Sequence, residues 1–295
     1  MRVVDFSIVT PSFRNSAWLR LCVASVADQH GVTLEHIVQD AVSDDGTLDW
    51  LREDRRVRVF VEEDSGMYDA INRGLRRASG DLLACLNCDE QYLPGALAAV
   101  KEFFGAHPEV EVVFADAVVV DPGGQFVAYR KTVTPSRHHV QICHLPTLTC
   151  ATFFRHRSLE RHGLFFDSQW RDVGDGAWVV RMLEKGVRVA VLRRYTSAFT
   201  RTGQNMSFLP NAIPERAALR AAAPLWARAL APLWVARHRL AKWRHGCYHQ
   251  PPFQYAIYTQ AHPDRRTAFE VDRPTFHWAG RMQFLRAYPK TCARR

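Results

Sequence analysis

The sequence predicts an α/β fold, an open and mostly parallel sheet with helices on both faces, followed by a mainly helical extension. Three observations lead to it. Apolar runs of strand length alternate with segments whose apolar residues recur at helical spacing, from Phe6 to Asp121. The strand-like runs end in polar, carboxylate-rich segments. Beyond residue 211 the composition changes to a basic, Trp-rich block.

Taken in order, "FSIVT" is a short strand closed by Pro11 and Ser12. "WLRLCVASVADQ" carries Leu19, Cys22, Val23 and Val26 at helical spacing, and "EHIVQD" is a strand ending at Asp40. "DGTLDWLRED" reads as a short helix and "VRVFVEED" as the next strand. "MYDAINRGLRRAS" places Ile71, Leu75 and Ala78 on one helical face, and "DLLACLN" is a strand. "PGALAAVKEFFGAHP" is a helix opened by Pro94 and closed near Pro108. "VEVVFADAVVVD" is strand-like again.

The chain of 295 residues, 47% hydrophobic, is long enough for one large domain or a domain with an appendage. No apolar run reaches the roughly 18 residues of a membrane span, and "MRVVDFSIVT" is too short and polar for a signal peptide. The expectation is a cytoplasmic protein. Seven cysteines, unevenly spread, do not form a disulfide framework. Cys85 and Cys88 make a C-x-x-C pair, but on one strand they point to opposite faces, and no second pair sits at zinc spacing. Two small buried residues is the favoured reading.

The strand ends are "TPSFRN", "QDAVSDDGT", "EEDSG" and "NCDE". In open α/β sheets, ligands bind beyond the carboxyl ends of strands. Neither G-x-G-x-x-G nor G-x-x-x-x-G-K-[ST] occurs, so a phosphate ligand has to be held through a cation bridging carboxylates to phosphate oxygens. Mg²⁺ or Mn²⁺ suits such oxygen ligands. Asn87 and Asp89 bracket one residue at a strand end, where both can reach one ion; an Asx turn closing the strand explains them equally well.

These motifs, in this order, resemble the nucleotide-binding half of glycosyltransferase family 2, with its GT-A fold, over roughly residues 6–210. The resemblance implies a nucleotide-sugar half over 1–115, an acceptor side over 116–210, and an extension over 211–295. "DAVSDDGT" is similar to the family's Asp-Gly-x-Ser-x-Asp-Gly-Thr: Asp40 falls on a base-binding position and Asp45 on the second aspartate, while Ala41 and Val42 replace a glycine-containing pair. "EEDSGMYDAINRG" matches a second family stretch, which puts Asp64 near the nucleotide and leaves Asp69 and Asn72 either facing the donor or supporting the loop. Thr10, Pro11 and Ser12, at the end of the first strand, join the donor site. "NCDE" corresponds to the Asp-x-Asp motif, with Asp89 as metal ligand, Asn87 offering a neutral oxygen, Cys88 between them, and Glu90 in place of an aspartate. In "FDSQWRDVGDGAWVVRMLEKG", Asp175 falls on the catalytic base, with Asp172 the competing choice; a helix N-terminus there is expected to lower the pKa of the base. "TRTGQNMS" resembles a segment closing over the diphosphate, where Arg201 meets the leaving group or is a solvated surface arginine. His144 lies in a segment that often faces the active site, but a lone histidine is more often structural.

The implied activity is metal-dependent, inverting transfer of one sugar from a nucleotide diphosphate-sugar, UDP being the expected carrier, to a saccharide or lipid-linked acceptor. Without a Gln-x-x-Arg-Trp motif the processive synthases are not matched. In the extension, Arg216 to His245 holds six Arg, one Lys and no acidic residue, with Trp226, Leu230, Leu233, Trp234 and Leu240 forming an apolar face. That face either lies on the inner surface of the cytoplasmic membrane or packs on the catalytic domain. Competing readings are a sugar-nucleotide nucleotidyltransferase, disfavoured because "TPSFRNSAW" lacks a Gly-rich basic loop, an inactive nucleotide-binding module, and a nucleic-acid binder, which leaves the acidic strand ends unexplained.

Overall fold

Phe6–Ser12 (β1) is buried almost throughout because it runs through the middle of a sheet covered on both faces. The structure, a computed structural model, describes residues 4–203, 205 and 210–277. After β1 come α1 (Ser16–Ala27), β2 (Leu34–Asp40), α2 (Thr47–Leu51), β3 (Arg58–Val61), α3 (Met67–Arg77), β4 (Leu82–Cys85), β5 (Glu90–Tyr92) and α4 (Ala96–Ala106). The chain continues with β6 (Val112–Val120), β7 (Phe126–Arg130), α5 (Arg137–Ile142), β8 (Thr152–Arg155), α6 (His156–His162), α7 (Gly174–Glu184) and β9 (Val189–Thr200). The extension holds α8 (Ala212–Ala221), α9 (Leu225–Ala229), α10 (Ala231–Arg244), β10 (Phe253–Thr259) and β11 (His262–Val271).

The main sheet runs β3-β2-β1-β4-β8-β6-β9-β5, with β7 paired to β6. Its first four strands are parallel; β8 enters antiparallel to both β4 and β6. The period of two along each strand sorts the core onto two faces. Val9, Ile37 and Leu83 pack with Ile71, Leu75 and Trp178 on one side. Ile8, Ala84 and Val113 pack with Cys22, Val26 and Leu97 on the other. Gly80 has to be glycine, because a Cβ there would lie 2.5 Å from the Ser7 backbone nitrogen.

The register aligns the strand ends that build the site. Ser12 lies opposite Asp40, Asp40 opposite Val61, and Val9 opposite Cys85. The strand order reverses direction between β1 and β4, which is where a sheet of this kind opens a crevice.

The extension is helical only up to Arg244; the stretch from Phe253 to Val271, whose structure the sequence left unassigned, is an antiparallel hairpin. Tyr255, Ile257 and Val271 of the hairpin pack on Leu93, Val118 and Val120. Arg266 grips Asp28 through two hydrogen bonds of 2.6 Å each, and Tyr258 Oη donates to the same carboxylate at 2.9 Å. Only part of the apolar helical face packs on the catalytic half. Ala223 and Ala227 are buried against Ile142, and Trp234 packs beside them, while Leu225, Trp226, Leu230, Leu233, Leu240 and Trp243 remain exposed. Among the described residues no helix is long and apolar enough to cross a membrane.

Candidate active site

The crevice is floored by the ends of β1, β2 and β4. Ser12 Oγ donates to Asp40 Oδ2 at 2.8 Å, and Ser43 donates to the same carboxylate twice, through its backbone N–H (2.7 Å) and its hydroxyl (2.8 Å). Asp40 is fully buried, so in this conformation its carboxylate holds the β2–α2 loop in shape. Thr10 is also fully buried: its hydroxyl bonds to His36 Nε2 at 2.8 Å, and its side chain supports the floor from beneath. The Pro11 carbonyl accepts the Cys88 thiol at 3.1 Å, which ties β1 to the turn after β4. Cys85 and Cys88 are both buried, and burial pushes both thiols up, which fits small core residues better than a redox pair. Asp45 accepts Ser16 N–H at 3.3 Å and Thr47 N–H at 3.1 Å, and so ties the loop to the start of α1.

Asp64 and Asp89 make few contacts with the protein. Among the described residues Asp64 accepts the Gly66 N–H alone, at 2.8 Å, and burial raises its pKa. Asp89, half-buried at the β4–β5 turn, is likewise raised by burial. Among the described residues neither pairs with a Lys or Arg, whereas Glu62 binds Arg73 and Arg77, and Asp69 binds Arg73. Glu90 is buried, raised first by burial and then by Asp89, and its carboxylate accepts the Asn87 backbone N–H at 2.8 Å. It shapes the turn from within.

The β5–β9 pairing sets Glu90 opposite Phe199 and so carries the segment after β9 to Asp89. There the Asn205 side-chain amide donates to Asp89 Oδ2 at 3.3 Å and to the Thr200 carbonyl at 3.0 Å. The carboxamide oxygens of Asn87 and Asn205 are both buried without a hydrogen-bond partner among the described residues. Asp89 and these two neutral oxygens are all oxygen donors, the kind that suits a hard divalent cation, although Asn205 meets Asp89 through its amide nitrogen and would have to turn to share an ion. Arg201 follows β9 directly, with its backbone N–H on the Val120 carbonyl. Gln204, Met206 and Ser207 of the same stretch lie outside the described residues. Asn205 was not singled out in the sequence; an amide after the last strand is a weak signal until the strand pairing is known.

α7 begins at Gly174, so Asp175 sits in its first turn. The expected lowering of its pKa does not occur. Burial outweighs the helix terminus and pushes the carboxyl up to about 6. Asp175 lines a cavity of about 20 Å³, room for roughly one water, together with Cys85, Thr147, Phe166 and Trp178. Cys85 ends β4 two residues before Asn87, so the cavity beside Asp175 reaches the strand that leads into the Asn87–Asp89 turn. The Asp175 N–H donates to Tyr68 Oη at 3.1 Å, and Tyr68 stacks on Phe166. This contact requires Gly174, where a Cβ would sit 2.5 Å from the tyrosine ring. Asn72 is buried and bonds both ways with the Phe166 backbone (2.7 and 2.8 Å), so it supports the loop. Asp69 accepts the Ser65 N–H at 3.1 Å. Asp172, the alternative base, is buried with one carboxylate oxygen unpartnered.

Residues 7–164 match the family described as Glycosyl transferase family 2. The chain belongs to that family. The match takes in every strand end described above except the segment after β9. This family 2 chain is 33% identical over 120 residues to a PGL/p-HBAD biosynthesis glycosyltransferase of Mycobacterium bovis, covering 39% of this chain and 47% of that one. It thus spans about half the length of that curated relative. In fold it is similar to S. aureus TarS 1-349 in complex with UDP-GlcNAc, with a TM-score of 0.60 and 18% identity over 81% of this chain and 73% of that one. It is also similar to the mannosyltransferase PcManGT of Pyrobaculum calidifontis in complex with GDP-Man and Mn²⁺, with a TM-score of 0.51 and 18% identity over 82% and 76%. These two likenesses are of fold, and the fold is GT-A.

Proposed function

We propose that the protein is an inverting glycosyltransferase that moves one sugar from a nucleotide diphosphate-sugar, with UDP as carrier, to a saccharide or lipid-linked acceptor in surface polysaccharide or glycolipid assembly. The observation that carries the proposal is Asp89 at the sheet's switch point, unpaired by any described cation and flanked by the orphaned oxygens of Asn87 and Asn205. The nucleotide-sugars bound by the two similar structures support the donor class.

In this reading Asp89 would hold Mn²⁺ or Mg²⁺, with Asn87 and Asn205 as neutral donors, and such an ion would supply positive charge beside the departing diphosphate. Asp64 and the β2–α2 loop, kept in shape by Asp40 and Ser12, orient the nucleotide. Asp175 takes the proton of the acceptor hydroxyl as the new glycosidic bond forms; a carboxyl near 6 is half-ready at mildly acidic pH and fully ionised above it. Attack opposite the leaving diphosphate inverts the anomeric carbon. Tyr68 keeps the α7 terminus fixed against α3 while this happens.

The test is thermal shift with UDP, GDP, dTDP and CDP, each with and without Mn²⁺, on wild type and Asp89→Ala. A Mn²⁺-dependent rise with one nucleotide, lost in the variant, is expected; no rise with any of them sinks the proposal. Transfer that survives Asp175→Asn but not Asp172→Asn moves the base to Asp172.

A second reading concerns location. The exposed Leu225, Leu230, Leu233 and Trp243, bordered by Arg228, Arg237, Arg239 and Arg244, support contact with an anionic membrane surface, where a lipid-linked acceptor would be presented.

A further inference from the structure

His139 on α5, His144 just after it, and His238 on α10 present one ring nitrogen each, all within 4.8 Å of one another. We propose that these three imidazoles form a binding site for a transition-metal ion of the Zn²⁺ class, separate from the Asp89 site, that clamps the C-terminal extension to the catalytic half.

The strongest support comes from His139. It is only 2% exposed, yet neither of its ring nitrogens has a hydrogen-bond partner. Buried polar nitrogens are ordinarily satisfied, and an orphaned imidazole facing two others calls for an occupant that accepts nitrogen lone pairs. The His139 and His238 rings stack with centroids 4.0 Å apart, and the His144 ring stands edge-on to both, at 4.5 and 5.3 Å. The three nitrogens lie within 4.8 Å of one another, and Zn–N bonds of about 2.0–2.1 Å bring tetrahedral ligand nitrogens to roughly 3.4 Å, so the stacked rings have to turn toward a shared point for an ion to bind.

The donor set discriminates among ions. Three imidazoles suit Zn²⁺, Co²⁺, Ni²⁺ or Cu²⁺ and are poor ligands for Mg²⁺. Three protein ligands would leave one position open, and the three histidines line a groove of about 420 Å³ that Cys143, Arg220 and Arg239 also line. The location gives the site its role. Two ligands come from α5 and its following loop, and the third comes from α10, so one ion bridges two parts of the chain more than ninety residues apart in sequence.

The experiment uses the tag-free full-length chain, stripped of metal. Equilibrium dialysis against Zn²⁺ with elemental analysis gives the stoichiometry, and titration with Co²⁺ gives the coordination from its visible absorption. The variants are His144→Gln and His238→Gln, since His139 is buried and its replacement risks the fold. His30→Gln, an exposed histidine elsewhere, is the control, and Asp89→Ala separates the two metal sites. The expected result is one Zn²⁺ per chain, a four-coordinate Co²⁺ spectrum, and a melting temperature raised by Zn²⁺ and not by Mg²⁺. All three should be retained in His30→Gln and Asp89→Ala, with affinity lowered at least about tenfold in the other two variants. Absence of the Co²⁺ bands in wild type, or Zn²⁺ binding unchanged in His144→Gln and His238→Gln, overturns the proposal. Neither outcome depends on glycosyl transfer.

Discussion

The backbone N–H of Asp172 donates to Glu215 Oε2 at 2.9 Å, across the boundary between the core and its extension. The same carboxylate takes the N–H groups of Val173 (2.9 Å) and Arg171 (2.6 Å). The turn leading into α7, which carries both base candidates, is thus held by a residue of α8. Glu215→Ala removes three charge-assisted bonds and should destabilise the fold by about 1–3 kcal/mol. Because the turn positions Asp175, kcat should fall while UDP affinity stays near that of wild type. Hydrogen exchange at residues 171–173 and a kcat-against-Kd comparison check this; an unaltered kcat would make Glu215 a purely structural cap.

Asp175 ties activity and stability to the same proton. Its carboxyl is raised from 3.8 to about 6 by burial, so the folded state holds the proton more tightly than the unfolded chain. The stabilisation is complete below pH 3.8 and is lost as pH rises through 6. Catalysis needs the opposite state, so kcat/KM should rise with pH through an apparent pKa near 6. Asp175→Asn should abolish transfer yet melt higher than wild type at neutral pH, by on the order of 1–2 kcal/mol. A variant less stable than wild type at pH 8 would contradict the burial argument.

Val42 adopts φ of +60° while 47% exposed, in the loop where the family has a glycine-containing pair. A β-branched residue is strained in that region, by roughly 1–2 kcal/mol. Val42→Gly should therefore stabilise the protein by about 1 kcal/mol, less what glycine adds to unfolded-chain entropy. Denaturant unfolding measures it, and a destabilised variant would place a packing role on the valine side chain.

The parallel half was legible because its strands are buried on both faces and end in abrupt polar segments; "FSIVT", "EHIVQD" and "DLLACLN" each mark one strand. The hairpin Phe253–Val271 was not, since its second strand opens on the polar run His262–Thr267 and its apolar residues find their partners on β6 and β9, far off in sequence. The same limit applied within the site. Asp89 stood out by its motif, but Asn205 reaches it only through the β5–β9 pairing, and Glu215 reaches α7 only through the docking of α8. His144 looked solitary because its partners His139 and His238 come together only when α10 lies against α5. The Asp175 pKa was misjudged in direction because a helix terminus is visible in sequence and a burying cavity is not.

Asn87 offers a test of the Asp89 site that does not disturb the fold. Its carboxamide oxygen has no protein partner, so Asn87→Ala should change stability by less than about 1 kcal/mol. If that oxygen faces the cation, the variant should need several-fold more Mn²⁺ to reach the same UDP-induced thermal shift, and EDTA should erase the shift in both proteins. Identical Mn²⁺ titrations for Asn87→Ala and wild type would leave Asp89 and Asn205 as the candidate ligands.

The exposed apolar residues of the extension can be removed with little effect on the core. Leu225 and Trp243 are 76% and 70% exposed, whereas Trp226 packs edge-on to His138 and Trp234 and is better left in place. Burying such side chains in a bilayer interface contributes up to about 1.5–3 kcal/mol each. The double variant Leu225→Ser, Trp243→Ser should therefore lose at least about tenfold in affinity for vesicles containing anionic lipid, at unchanged melting temperature. Binding should also weaken with salt, because Arg228, Arg237, Arg239 and Arg244 supply the attraction to the headgroups. Vesicle binding that is absent in wild type, or equal in the double variant, would exclude this face as a membrane contact. In that case the arginine-bordered helices would be left to serve the docking of α8 and α10 on the catalytic half.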